Sequence, residues 1–250
     1  VEYFIEEPAG KGPWPTIVFL HGHQMGFSRP GGKVFVEWEV LQKFANRGYL
    51  AVAISQPGYG NSTGPADFCG AFTQHAVSGV ISNLRAEGLA SPKKLVIQGA
   101  SRGAVTAGLV AAHDPSVSGL VLISGIYDLV EYVEESKTNS EKRSVVKSLI
   151  AETGGTDDAL RARSVLRFAN SIKASSLILN GEKDDRTDAN QARRLAEDIV
   201  HSGGNARAII YPDYGHKIPV DARNKDIDPF IDHVLGKSSS SRSRSRFATN

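Results

Sequence analysis

Cysteine is almost missing from this chain: Cys69 is the single one in 250 residues. A lone thiol cannot close an internal disulfide or found a cysteine zinc cluster, so neither staple is available to the fold. No apolar run approaches the roughly 20 residues that span a bilayer, so no membrane span is expected. A dominant charge is missing too. The formal net charge is +2, and that surplus is local: Lys237, Arg242, Arg244 and Arg246 stand in a tail without acids, and the rest holds 25 basic against 27 acidic residues. The body therefore has no overall basic field with which to hold nucleic acid. No signal peptide is visible, although one could already have been removed, and a lone cysteine fits a reducing compartment without proving one, so the location is left open with the cytoplasm favoured.

What is present is the material of a globular domain, with 40% hydrophobic and 22% charged residues. Two textures alternate. Apolar, β-branched runs at Thr16–Leu20, Tyr49–Ile54, Lys94–Ile97, Ser118–Ile123, Ser176–Leu179 and Ala206–Tyr211 read as buried strands. Segments with helical spacing lie between or after them at Phe35–Arg47, Thr73–Glu87, Arg102–His113, Ala189–His201 and Asp226–Leu235. Near-continuous apolar strands alternating with amphipathic helices predict a mostly parallel, doubly wound α/β sheet covered on both faces. Val1–Glu7 alternates more and is expected as an antiparallel edge strand. One α/β domain is expected over residues 1–236.

The segment 127–172 breaks the rhythm. It is polar, with helical stretches near Ser140–Glu152 and Asp157–Phe168, and an excursion of that length between strands predicts a small helical cap over a site or a long connection. Residues 237–250 are low-complexity Ser/Arg and are expected to be a disordered, solvated tail.

Two places match Gly-x-Ser-x-Gly, one around Ser62 and one around Ser101. The pattern carries chemistry only at a tight strand-to-helix turn, where the serine is held in a strained conformation with its hydroxyl exposed. Ser101 has that context: the strand Lys94–Ile97 leads into it and an Ala/Val-rich helical run follows. Gly99 and Gly103 leave room where a Cβ would strike neighbouring backbone. Ser62 is flanked by turn residues, with Gly64-Pro65 directly behind it, and reads as part of a loop.

A serine hydroxyl attacks only when a base takes its proton. Of seven histidines, His216 is best placed, in a short loop after the last strand, where a parallel sheet presents its chemistry. His75, His113, His201 and His233 sit near helix ends. The base needs an orienting carboxylate, and Asp184, with Asp185 and Glu182 as rivals, follows the strand-end turn at Gly181. Two N–H donors must hold the oxyanion. The amide of Arg102 directly follows the nucleophile, and a second comes from the loop His21-Gly22-His23-Gln24, His23 first and Gln24 second. The His21-x-His23 pair could suggest zinc, but the further ligands a metallohydrolase needs do not follow within Met25–Lys33, so neither metal nor cofactor is expected.

Together, His21-Gly22-His23, Gly58-Tyr59-Gly60-Asn61-Ser62-Thr63-Gly64, the Ser101 elbow, Gly181-Glu182-Lys183-Asp184 and Gly215-His216, in this order, resemble the α/β-hydrolase superfamily over about Pro13–Leu235. Within it the chain is most similar to the dienelactone-hydrolase and prolyl-oligopeptidase-like branch. The resemblance implies a sheet of about eight strands and favours Asp184, because the acid of that branch lies three residues after the strand-end glycine. It departs from many relatives at Ala104, where a third glycine is common, and at Ser55-Gln56, ahead of the Gly-Tyr-Gly loop. No amino-terminal propeller is expected in this chain.

The leading expectation is a serine esterase that cleaves small carboxylic esters through an acyl-enzyme, with Ser101, Asp184 and His216 as triad. A peptidase or amidase of the same fold is the alternative, and a binding protein with vestigial activity stands behind both. Met25, Phe27, Tyr59 and Phe68 are expected near the pocket. Cys69 is expected to serve packing, and the oligomeric state is left open.

Overall fold

The structure is a computed structural model that describes residues 1–26 and 28–236. Phe27 and the Ser/Arg tail therefore lie outside the described residues. In chain order the elements are β1 (Tyr3–Glu6), β2 (Trp14–Leu20), α1 (Lys33–Glu37), α2 (Val40–Ala45), β3 (Leu50–Ile54), α3 (Ala71–Ala86), β4 (Ala90–Ala100), α4 (Arg102–His113) and β5 (Gly119–Ile123). There follow α5 (Leu129–Glu135), α6 (Arg143–Thr153), α7 (Asp157–Arg161), β6 (Ser175–Gly181), α8 (Ala189–His201), β7 (Ala206–Tyr211) and α9 (Val220–Leu235), with 3-10 turns at Ser140–Lys142 and Val165–Ser171.

The seven strands form one sheet in the order β1-β3-β2-β4-β5-β6-β7. Only β1 runs antiparallel, with Phe4 opposite Ala53; the remaining pairs are parallel, with Ala100 of β4 beside Ile123 of β5. Seven strands among the described residues replace the eight expected; the architecture is otherwise the doubly wound one.

Burial on both faces explains why the strands read as unbroken apolar runs. Along β2, Ile17 and Phe19 face one side, against Leu41 and Phe44 of α2 and Ile227 and Ile231 of α9. Val18 and Leu20 face the other, with Val77 and Ile81 of α3, Ala104 and Val105 of α4 and Leu195 of α8. All four β2 side chains are fully buried, and each such burial contributes roughly 1.5–3 kcal/mol.

Three expected boundaries move. The helix foreseen at Phe35–Arg47 is broken in two by Glu39, whose φ of 55° is left-handed. The last helix starts at Val220 rather than Asp226 and runs through Pro229. The stretch Asp157–Phe168 is a one-turn helix followed by a 3-10 segment.

The strand order reverses between β2 and β4, with β3 and β1 on one side and β5 to β7 on the other. Such a switch point opens a crevice at the carboxyl ends of the strands. The loop after β2 and the turn after β4 form its two banks.

Candidate active site

Ser101 directly follows β4 and caps α4 with φ 52° and ψ −118°, a backbone state costing a non-glycine residue on the order of 1–3 kcal/mol. Its neighbours make that turn passable. A Cβ on Gly99 would strike the Gly103 carbonyl, and one on Gly103 would strike the Leu20 carbonyl at the end of β2. The β2 loop lies directly against the turn: a Cβ on Gly22 would stand 3.2 Å from the Ala100 carbonyl oxygen and 3.4 Å from Ser101 Cβ. Ser101 therefore sits at a tight, strained strand-to-helix turn. As the first residue of α4, Arg102 has an amide with no acceptor inside its own helix, at the positive end of the dipole.

Two strands away, Asp184 leaves β6 through the turn at Gly181. Its carboxylate accepts from His216 Nδ1 at 3.0 Å (Oδ2) and 3.2 Å (Oδ1). The Asp184 side chain is fully buried, while His216 keeps 17% of its side chain exposed. Thr187 donates its hydroxyl to Asp184 Oδ2 at 2.5 Å and its amide to Oδ1 at 2.9 Å, and the Arg186 amide also donates to Oδ1 at 2.9 Å. Burial pushes the Asp184 carboxyl up, but the His216 bond and charge and the two Thr187 bonds outweigh it and hold the group below its ordinary range. The rivals are engaged otherwise or face water: Glu182 is exposed and paired with Arg193, and Asp185 is exposed. Asp188 caps α8 through the Asn190 amide.

The acid and base loops are tied through their backbones. The Glu182 amide donates to the Tyr211 carbonyl at 2.9 Å and the Lys183 amide to the Tyr214 carbonyl at 3.0 Å. Ser101, Asp184 and His216 thus follow the carboxyl ends of β4, β6 and β7, on one edge of the sheet. Among the described residues no hydrogen bond joins Ser101 Oγ to His216; such contacts commonly tighten only when substrate is bound.

In the β2 loop, both nitrogens of His21 are occupied. Nε2 accepts from the Gln56 amide at 3.1 Å, which puts the proton on Nδ1, and Nδ1 donates to the Gly22 carbonyl at 2.8 Å. Burial, together with nearby Arg102 and His23, lowers the His21 imidazole to about 4, against the Gly22 bond that favours its charge. That leaves no nitrogen of His21 for a metal. His23 Nδ1 pairs with the Tyr59 hydroxyl at 2.8 Å, and Gln24 grips Gly31 through both halves of its amide. In another acidic group, Glu131, Glu135 and Asp188, Glu131 is paired with Arg194 and Glu135 with Lys142.

The family model described as "Prolyl oligopeptidase family" matches residues 70–238, more than half of the chain. The chain belongs to the prolyl oligopeptidase family. Its architecture is the α/β-hydrolase fold. Among its relatives, "Uncharacterized peptidase YuxL" of Bacillus subtilis (strain 168) is 24% identical over 226 residues, covering 84% of this chain and 32% of that protein. The Pyrococcus horikoshii acylaminoacyl peptidase superposes with a TM-score of 0.75 at 19% identity, over 96% of this chain and 40% of that one. A putative dienelactone hydrolase from Klebsiella pneumoniae superposes with a TM-score of 0.67 at 17% identity, over 94% and 92%. The chain thus spans about a third of the length of YuxL and two fifths of the acylaminoacyl peptidase.

Two features of this prolyl oligopeptidase family member were not foreseen, the pairing of the Arg102 guanidinium and the bonds from Thr187 to Asp184. Arg102 is buried, and its guanidinium forms a two-pronged pair with Glu152 of α6, at 3.0 and 2.7 Å. One signal existed: an arginine opening a helix rich in Ala, Gly and Val must be buried with it, and a buried guanidinium demands a carboxylate. Thr187 carried no comparable signal. Of the expected pocket residues, Tyr59 and Phe68 are buried and Met25 is 71% exposed. Burial pushes the Cys69 thiol up, and its Sγ lies 3.3 Å from the Arg102 carbonyl, a packing role. The segment 127–172 lies on α4 and α8, with Val165 against Gly108 and the Leu166 amide bonded to the Tyr127 carbonyl.

Proposed function

We propose that this protein hydrolyses acyl bonds through a covalent acyl-enzyme on Ser101, and that the amide bond of short peptides or aminoacyl amides is its principal substrate class. The Ser101 hydroxyl attacks the carbonyl carbon while His216 Nε2 takes its proton, and Asp184 holds Nδ1–H and stabilises the imidazolium. The amides of Arg102 and His23 receive the developing oxyanion. His216 returns the proton to the departing nitrogen, and water, activated by the same imidazole, releases the acid and restores Ser101.

The observation that carries this reading is the Asp184–His216 bond, standing on the sheet edge that also bears the left-handed serine. Family membership favours the amide over the ester. Carboxylic esters, the leading expectation from sequence, are retained as a second class, supported by the likeness to the putative dienelactone hydrolase. The 127–172 segment is assigned as the cap over the acyl site.

Fluorophosphonate labelling with peptide mapping is expected to mark Ser101 and to leave Ser62 unmarked. Turnover of aminoacyl anilides should then be compared with that of short-chain aryl esters. An unlabelled Ser101 ends the assignment. A labelled Ser101 with ester turnover alone returns the protein to the esterases, and tight ligand binding without turnover of either class would favour the binding-protein reading.

A further inference from the structure

We infer that Glu152, on the helical excursion between β5 and β6, is a positioning residue that sets the geometry of both oxyanion donors. This rests on the reading of the Arg102 and His23 amides given above.

Glu152 stands at the end of α6 with its side chain 15% exposed, and the Arg102 side chain is 1% exposed. Its two oxygens take one guanidinium nitrogen each, and Oε2 also accepts the Phe68 amide at 2.8 Å. That amide belongs to a strained turn, because Phe68 and Cys69 are both left-handed, at φ 43° and 63°. Neither is a glycine, so the turn persists only because its surroundings over-determine it. Glu152 supplies one constraint. Arg163, just beyond α7, supplies another by donating Nε to the Asp67 carbonyl at 2.9 Å.

The guanidinium then transmits the constraint in two directions. It belongs to the residue whose amide directly follows the nucleophile. It also lies between two rings, with Cζ 4.9 Å from the Phe68 centroid and 5.2 Å from that of Tyr59. The Tyr59 hydroxyl holds His23 Nδ1 at 2.8 Å, and the His23 amide is the other proposed donor. One carboxylate, 50 residues from the elbow in sequence, therefore fixes a planar fork against which both donor segments rest. Without it, Arg102 would keep a buried charge with no acid on it and would have to leave its place between the rings. Interactions with an oxyanion exist only in the transition state, so their disturbance reaches kcat and leaves ground-state binding alone.

The test is Glu152→Gln, with Glu152→Asp as the variant that keeps the charge. In folded Glu152→Gln, judged by its melting transition, kcat should fall about tenfold to a hundredfold with KM little changed. The rate of fluorophosphonate labelling at Ser101 should fall in parallel, since the adduct also places an oxygen between the donors. Glu152→Asp should lie between parent and Glu152→Gln, and it carries the test if Glu152→Gln does not fold. Hydrogen exchange should rise at residues 66–70 and, through Arg102 and Tyr59, at 22–25. A folded Glu152→Gln with parental kcat, or with its loss in KM alone, overturns the inference. If the parent enzyme fails to label at Ser101, the functional reading fails instead. The coupling is then judged by exchange alone: a rise at 66–70 without one at 22–25 overturns it.

Discussion

Ser62 and Ser101 sit in the same five-residue pattern and have opposite fates. Ser62 has a negative φ and is 8% exposed. Its hydroxyl is consumed by the fold, donating to the Ser55 carbonyl at 2.5 Å and accepting the Glu2 amide at 2.9 Å. Ser101 has a positive φ, and its glycines are required by backbone that crosses on either side. The pattern thus says only that a serine is flanked by small residues. Whether those residues allow a loop to turn or two elements to touch is decided by the strand before and the helix after.

The sharpest way to break that contrast is to remove each hydroxyl. Ser101→Ala should lower turnover by about 10³-fold or more while melting stays close to parental; if Ser101→Ala remained active, the two loops would have to exchange roles. Next in size, Asp184→Asn should reduce kcat by about 10²–10⁴-fold, because the amide favours the wrong imidazole tautomer. The matching change in the other loop, Asn61→Ala, should leave kcat unchanged in the same assay.

A smaller effect tests the hinge between the loops, where His21 receives the Gln56 amide. Its imidazole is lowered to about 4 from an ordinary value near 6.5. Between those limits the unfolded chain binds the proton that the folded one refuses, so stability present above pH 6.5 should drain away as pH falls towards 4. The loss is roughly 3 kcal/mol by linkage. Asp184, held low, adds a loss in the same direction at more acidic pH. Urea melts across that range should show the slope, and His21→Asn should flatten it; an unchanged slope would place the titration elsewhere. Smallest of all, Ser62→Ala should cost about 1–3 kcal/mol of stability for its two lost partners and leave turnover near parental.

Much of this was legible in the chain itself. Strands buried on both faces announce themselves as apolar runs, and each triad candidate could be placed by the strand it follows. What escaped was non-local or conformational. Glu39 gives no hint that it will turn left-handed and split a helix. Phe68 and Cys69 are poor candidates for such a turn, which Glu152 and Arg163 help to hold from distant parts of the chain. The last helix was read from Asp226 onward, so its first six residues, from Val220, were missed. The partner of Arg102 could be demanded from its helix but not named, because any of the 27 acidic residues could have answered.

The stitching of the Asp184 loop to the His216 loop has a kinematic consequence. Breathing of the last two strands carries the proposed proton acceptor and its proposed counter-charge together, so their separation is insulated from such motion. The gap left free to vary is the one to the serine, which rides on a different part of the sheet. Approach of the reactants, rather than alignment of the relay, is therefore the coordinate along which thermal motion or a bound ligand would act.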